Sequence, residues 1–148
     1  MINSTYLKKG TALCIFALFL FFVTTSFSQV ATKYTFNQTA ESYTAITGGT
    51  VLWSATFDDE VSDAITIPPF LYDGRQYTSL FVTANGFVTF GEAPLGTNYT
   101  PNSNTATYPG SVAAFGRDVN QAETGSPEVR YEQVGNEFVI QWQDVRRF

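Results

Sequence analysis

The sequence predicts an all-β protein, an antiparallel β-sandwich preceded by a cleaved signal peptide. No sustained helical periodicity is present after residue 30. Short alternating segments rich in Thr, Tyr, Phe and Val recur instead, and Gly, Asp, Asn and Pro separate them. Regularly spaced strands of this kind are typical of sandwiches and barrels. The 148 residues allow one ordinary domain.

The start of the chain has the layout of a secretory signal peptide. Lys8 and Lys9 form a basic patch, and an unbroken apolar run follows over residues 12–23. That run is shorter than the roughly 20 residues of a membrane-spanning helix, so cleavage is favoured over an uncleaved membrane anchor. We therefore expect a signal peptide over residues 1–28 that meets the membrane only during export, followed by an extracellular module over residues 29–148.

The predicted cleavage site gives the first testable prediction. Ser26 and Ser28 place small residues three positions and one position before the cut. We expect the mature, secreted or cell-surface protein to begin at Gln29. N-terminal sequencing of the exported protein checks this, and a sequence that begins at Met1 would contradict it.

Charge and cysteine content limit the partners. The signal peptide holds no acid and two of the eight basic residues, so its removal changes the net charge from −5 to −7 with all 13 acids retained. Such an acidic surface is repelled by phosphate backbones, which makes nucleic acid an improbable partner. The single cysteine, Cys14, is lost with the signal peptide. A domain of this size without disulfides is held together by its core.

Ten strands are predicted in the mature chain from the alternation and the turn residues between segments. They are Lys33–Asn37, Ser42–Ile46, Thr50–Phe57, Ala64–Ile67, Phe70–Tyr72, Gln76–Ala84, Phe87–Gly91, Ser111–Phe115, Glu128–Val134 and Glu137–Val145.

The last two strands form a hairpin with a defined register. A two-residue turn at Gly135 and Asn136 pairs Val134 with Glu137. One face of the hairpin is then apolar and belongs to the core, whereas the other is mostly polar and faces solvent. The core face carries Val129, Tyr131, Phe138, Ile140 and Trp142, and the solvent face carries Arg130, Glu132, Glu137, Val139 and Gln141.

A second hairpin is predicted in "VTANGFVTFG". A two-residue turn at Asn85 and Gly86, with positive φ at both positions, pairs Ala84 with Phe87. Both faces are then apolar, so both require a cover. One cover is the sandwich core, and the other is the long proline-containing loop over residues 92–110. Three apolar side chains of that loop are expected to pack on the hairpin: Leu95, Tyr99 and Tyr108.

The residue inventory excludes several kinds of catalytic site. The chain has no histidine, and the mature chain has no thiol, which excludes Ser-His-Asp and Cys-His catalysis, imidazole metal sites and zinc thiolate sites. "TGGT" lacks the lysine and the following helix of a phosphate-binding loop. We therefore predict that the protein is not an enzyme, although a carboxylate pair of the glycosidase type stays open.

Carboxylates and aromatic residues provide the remaining candidate sites. "DDEVSD" at residues 58–63 does not match an EF-hand loop and is interpreted as a solvated turn. Asp118 and Asn120 form a second oxygen-rich position and are the candidate calcium ligands. Tyr99 and Tyr108 are the candidate ligand-binding residues, because aromatic rings in a loop can stack on a sugar. Trp53, in contrast, is assigned to the core.

A family resemblance rests on several motifs in order. "LFVTANGFVTFGEA", a Pro/Ser/Asn-rich loop, "VAAFGRDVN", "EVRYEQ" and "FVIQWQDVRRF" together resemble the nidogen-type extracellular domain. The upstream sequence resembles N-terminal modules of large exported proteins of Bacteroidota-type bacteria. The resemblance implies a β-sandwich without catalytic residues, and Asp118 matches an acidic position of the family. Ala113 to Gly116 depart from the family's Ala-Pro-Phe-Trp, which affects shared ligand contacts rather than the fold.

These observations predict a non-catalytic exported adhesion or interaction module with an extracellular protein or glycan as its partner. A carbohydrate-binding accessory domain of a polysaccharide-degrading enzyme is the alternative, and a small carboxylate-based hydrolase is a third hypothesis. We also expect residues 1–148 to be the N-terminal part of a longer protein, since the last strand reaches Phe148 without a polar tail.

Overall fold

The computed structural model describes residues 35–101 and 108–148. Thr39–Phe148 form one compact unit, and the described residues of the unit that precedes it, 35–38, are exposed. Within the described part, every regular element is a strand. The strands are β1 (Thr50–Ser54), β2 (Ile65–Tyr72), β3 (Arg75–Val82), β4 (Phe87–Phe90), β5 (Gly110–Ala113), β6 (Val119–Gln121), β7 (Glu128–Val134), β8 (Glu137–Gln143) and β9 (Val145–Arg147). A search of the same residues for a helix of membrane-spanning length and hydropathy found none.

The strands form three antiparallel sheets. One sheet has the order β1-β7-β8, a second has the order β2-β3-β4-β5, and β6 pairs with β9. Side chains from the two larger sheets meet in one apolar core, which confirms the predicted all-β sandwich. Its buried members are Phe57, Ile65, Ile67, Leu80, Val82, Ala84, Val88, Phe90 and Val129. Trp142 of β8 links its sheet to the β3–β4 hairpin, because its indole Nε1 donates a hydrogen bond to the carbonyl of Thr83 at 2.9 Å.

The β7–β8 hairpin confirms the predicted register. Val134 pairs with Glu137 and Val129 with Trp142, with no shift along the hairpin. Gly135 has φ of 60°, whereas Asn136 is not in the left-handed region. A glycine with positive φ at the first turn position is the pattern of a type II′ hairpin turn.

The predicted solvent face of this hairpin is partly covered, which corrects the sequence prediction. Gln141 on that face is buried. Its Oε1 accepts hydrogen bonds from the Tyr43 hydroxyl at 2.8 Å and from the Ile46 amide at 2.9 Å. The predicted strand Ser42–Ile46 is therefore wrong, because this segment is held by a side chain rather than by a strand ladder.

The covering segment is fixed again at Gly48. Its amide donates to a Glu132 carboxylate oxygen at 3.2 Å, and its carbonyl accepts from Arg130 Nη1 at 2.9 Å. Arg130 also pairs with Glu128, and that hydrogen bond holds the pKa of Glu128 below its ordinary value. Arg130 and Glu132, which lie on the same face of β7, thus both bind the backbone of Gly48. The alternating pattern had predicted that this face contacts solvent.

The remaining strand predictions differ mainly at their ends. β1 stops at Ser54 because Ala55 has a positive φ of 67°, so the predicted alternation up to Phe57 fails, although Trp53 does pack against the core. The two segments predicted at 64–67 and 70–72 are one strand, β2, whose pairing shifts between Thr66 and Phe70. Strands β6 and β9 were missed, since the predicted last strand ran from Glu137 to Val145 without a break. Of the segment predicted at 33–37, residues 33–34 lie outside the described residues and 35–37 are not a strand.

The β3–β4 hairpin is shifted by one residue from its predicted register. Val82 pairs with Val88 and Leu80 with Phe90, and the Thr83 amide donates to the Phe87 carbonyl at 3.0 Å. The loop therefore has three residues, and only Gly86 of the Asn85-Gly86 pair has a positive φ, 74°. A three-residue loop with glycine in this conformation is a common hairpin closure. The expectation of positive φ at Asn85 is wrong.

Both faces of the β3–β4 hairpin are covered, as predicted. Leu80, Val82, Val88 and Phe90 lie in the sandwich core. On the other face, Thr83, Phe87 and Thr89 are each fully buried. The Thr89 hydroxyl donates to the carbonyl of Glu92 at 2.7 Å, which ties this face to the start of the long loop.

Candidate functional site

Asn85 is a buried junction between three segments of the chain. Its side chain is fully buried. The amide Nδ2 donates to Asp59 Oδ1 and to the carbonyl of Gly96, both at 3.1 Å, and Oδ1 accepts from the Val119 amide at 2.8 Å. The sequence assigned Asn85 to a turn only. The structure shows that its side chain also fixes the acidic segment, the long loop and β6 against the hairpin.

The acidic segment at 58–63 follows the hairpin instead of lying free in solvent. The Ala84 amide donates to the carbonyl of Glu60, and Ser62 exchanges hydrogen bonds with Val82 through its amide and hydroxyl, each at 2.9 Å. Val61 also forms a bridge with Thr83. The solvated-turn interpretation is therefore corrected: the carboxylates are exposed, but the backbone that carries them is fixed.

Three carboxylates meet beside this junction. One oxygen from each of Asp58, Asp59 and Asp118 lies within 4.8 Å of the other two. Partial burial raises the pKa of Asp58, and the neighbouring charges of Asp59, Asp118 and Glu60 raise it further. The cluster therefore concentrates negative charge on a backbone that hydrogen bonds hold in place.

The calcium prediction paired Asp118 with Asn120, but the structure groups Asp118 with the acids of the 58–63 segment. Asn120 is buried, and its Oδ1 accepts from Arg146 Nε at 3.3 Å. Three carboxylates within one coordination shell supply the oxygen ligands that calcium prefers, and a full shell of six to eight would need further oxygens. Calcium binding stays a prediction, which calorimetric titration of calcium into the protein tests directly.

The raised pKa of Asp58 predicts a stabilising substitution. An acid with a raised pKa in the folded state binds protons more readily there than in the unfolded chain, so its ionised form opposes folding and this opposition disappears as the pH falls through the folded pKa. In chelator-treated buffer at pH 7, Asp58→Asn is therefore expected to raise the melting temperature by about 1–2 °C, as fits an exposed group.

The matched control is Asp63→Asn, which removes the same charge from the same segment outside the three-carboxylate cluster. The gain at Asp58 should shrink as the pH falls toward 3.8, the ordinary pKa of an aspartate, and it should also shrink at high salt. An equal gain in both variants would mean that total charge, not the cluster, is responsible.

The two candidate ligand-binding tyrosines have different roles. Tyr108 stabilises the loop, because its hydroxyl accepts a hydrogen bond from Asn98 Nδ2 at 3.0 Å and donates one to the Pro101 carbonyl at 3.3 Å. Tyr99 is 43% exposed. Among the described residues of the loop, Pro94, Asn98 and Pro101 are buried. Leu95 is exposed, so the expected packing of Leu95 on the hairpin is wrong.

Tyr99 and Asp118 line the same cavity of about 410 Å³, which brings together one residue from each set of candidates. Sequence reasoning missed the other side chains of that cavity. Arg117 adjoins Asp118 in "GRD", and Arg147 lies on β9, whose pairing with β6 places it opposite Val119. The pairing of β6 with β9 could not be predicted from periodicity, because each strand has three residues.

Comparison with known proteins identifies the family. The family model described as NIDO related matches residues 33–148. This chain belongs to the NIDO-related family. No curated protein and no solved structure matches it. The resemblance seen in the sequence motifs is thereby confirmed for the family and the sandwich.

NIDO-related domains are extracellular and of a non-enzymatic type. Family membership therefore suggests an extracellular interaction module. In this NIDO-related chain, Asn85 lies in the motif "LFVTANGFVTFGEA" and Asp118 in the motif "VAAFGRDVN". The structure places these motifs together, since Asn85 binds the amide of Val119, the residue that follows Asp118.

Proposed function

We propose that this chain is a non-catalytic adhesion or interaction module that is secreted or displayed at the cell surface. Its partner is an extracellular protein or glycan. The observation that supports this proposal is the buried asparagine junction, which holds residues 92–101, the described first part of the long loop, in place. Preorganised loops lose less conformational entropy on binding, so they suit recognition surfaces.

The loop is held from both sides. Asn85 binds its Gly96 carbonyl, and within the loop Asn98 is 7% exposed and binds the Tyr108 hydroxyl. The Asn98 amide donates to the Leu95 carbonyl at 3.0 Å. As a result, Leu95 and Tyr99 present 78% and 43% of their surface to solvent from a fixed backbone. Tyrosine is enriched among the anchors of interfaces, and the exposed leucine beside it adds apolar surface that a partner can bury.

Binding of the purified protein to arrays of extracellular proteins and glycans tests this function. We expect retention by at least one class of partner, with binding lost in Leu95→Asp. Val134→Asp is the matched control, because Val134 is an exposed apolar residue of the β7–β8 hairpin. The proposal fails if no partner retains the wild-type protein, or if both variants bind equally well.

A further inference from the structure

We infer that the cavity between residues 99–100 of the long loop, the β5–β6 connection and Arg147 of β9 is a binding site for a carboxylated sugar. The inference rests on the proposed interaction function and names the ligand class for this site. Two arginines and two half-exposed aromatic rings line the cavity together with one acid: Tyr99, Phe115, Arg117, Asp118 and Arg147. Its volume of about 410 Å³ is within the range of small-ligand sites.

The arginines are the first argument, because the chain is acidic and has few of them. Arg130 is bound to Glu128 and to the Gly48 carbonyl, and Arg146 is bound to Glu123. In contrast, the guanidinium groups of Arg117 and Arg147, like that of the exposed Arg75, form no hydrogen bond or ion pair with any described residue. Two unpaired arginines that line one cavity favour an anion with planar oxygens, since each guanidinium group can donate two parallel hydrogen bonds to a carboxylate.

The aromatic rings are the second argument. Tyr99 is 43% exposed and Phe115 is 51% exposed, and Phe115 is held in place by an edge-to-face contact with Trp142 at 6.5 Å between ring centroids. Its backbone is fixed too, because the Phe115 amide donates to the Gly86 carbonyl at 3.1 Å. Flat rings held at a cavity wall provide a stacking surface for the less polar face of a sugar ring.

Asp118 decides between a sugar and a simple anion. A ligand that offered only carboxylates would place negative charge against the Asp118 carboxylate, which already lies beside Asp58 and Asp59. A sugar ring adds hydroxyl groups, whose hydrogens the Asp118 carboxylate can accept. The combination of guanidinium donors, a carboxylate acceptor and exposed rings therefore fits a ring that carries both a carboxylate and hydroxyls.

The test is calorimetric titration of the purified protein with an oligogalacturonate and with a neutral galacto-oligosaccharide of the same length. We expect binding of the acidic sugar only. Arg117→Gln and Arg147→Gln should each weaken it about tenfold, and Tyr99→Ala should also weaken it. Arg75→Gln is the matched control, because Arg75 is an exposed arginine on β3 away from the cavity, and it should change affinity less than twofold.

Melting temperatures show whether each variant is folded, so a loss of binding can be assigned to the site. Absence of binding by the wild-type protein at millimolar oligogalacturonate would overturn the inference, and equal binding of the neutral sugar would overturn its anionic part. Equal binding of a glutamate-rich peptide would overturn the assignment to sugars. Retention of another extracellular partner, lost in Leu95→Asp, would leave the proposed interaction function standing after any of these failures.

Discussion

The Gly86→Val variant is expected to lose about 2–6 kcal/mol of unfolding free energy. Gly86 has φ of 74°, a conformation that costs a residue with a side chain about 1–3 kcal/mol. A Cβ at this position would also lie 2.5 Å from Phe115 Cδ2 and 2.9 Å from Phe115 Cβ. Relieving that overlap adds about 1–3 kcal/mol. Equilibrium denaturation in urea measures the loss.

A matched glycine separates the two causes. Gly74 has nearly the same φ, 77°, but a Cβ there would meet no atom within 4 Å. Gly74→Val should therefore show only the backbone part, about 1–3 kcal/mol. In the Phe115→Ala background, Gly86→Val should lose less than in the wild type. Equal losses at the two glycines would contradict a tight contact between Gly86 and Phe115.

The sequence predicted the register of the β7–β8 hairpin correctly and that of the β3–β4 hairpin wrongly, and the difference has a physical reason. In the β7–β8 hairpin, apolar and polar residues alternate on opposite faces, so a slip of one residue would bury the polar face, and Val134 pairs with Glu137 as predicted. The β3–β4 hairpin is apolar on both faces, so alternation gives no penalty for a slip. Its register is set instead by the three-residue loop around Gly86.

The sequence did not predict how the segment before β1 is held. Each of its hydrogen bonds is made to a side chain far away in the sequence. Gln141 binds Tyr43 and Ile46, which are nearly 100 positions earlier in the chain. An alternating pattern marks a polar residue as facing away from the core, but it carries no information on which backbone segment covers it. For this reason the sequence predicted a β8 face that is open to solvent, whereas the structure shows the same face partly covered.

The candidate site was predictable in part. Asp118 was found because it is an acid directly after a buried run, and Tyr99 because it is an aromatic residue in a long loop. Their partners were missed, since Asp58 and Asp59 lie about 60 positions earlier in the chain. They are held beside Asp118 by the buried side chain of Asn85, which binds Asp59. A turn motif predicts backbone conformation, and it says nothing about a side chain that binds three other segments.

The Asn85→Asp substitution is expected to destabilise the domain by about 3–5 kcal/mol at pH 7. Aspartate has the shape of asparagine and can still accept from the Val119 amide. It loses both donors, however, so its second oxygen would face the Gly96 carbonyl and the Asp59 carboxylate that Nδ2 now binds. A fully buried charge without a cationic partner carries a penalty of this size.

The pH dependence distinguishes this cause from a simple packing defect. The introduced carboxyl would have a raised pKa, because burial and the nearby Asp59 both oppose its ionisation. The folded state of the variant then binds a proton that the unfolded state releases, so the difference from the wild type should shrink as the pH falls from 7 to 4. Asn85→Ala, which loses all three hydrogen bonds without adding a charge, should show a deficit of about 2–4 kcal/mol that changes little over the same range.

Asn136→Asp is the control for the charge itself, since Asn136 is an exposed turn residue of the β7–β8 hairpin and should lose less than about 0.5 kcal/mol. Urea denaturation of all three variants at pH 7, 5.5 and 4 measures these differences. A pH-independent deficit in Asn85→Asp would mean that the introduced carboxyl stays neutral or is hydrated. A deficit below 1 kcal/mol in Asn85→Ala would mean that the acidic segment, the long loop and β6 hold their places without the asparagine, and the preorganised loop on which the proposed function rests would need another support.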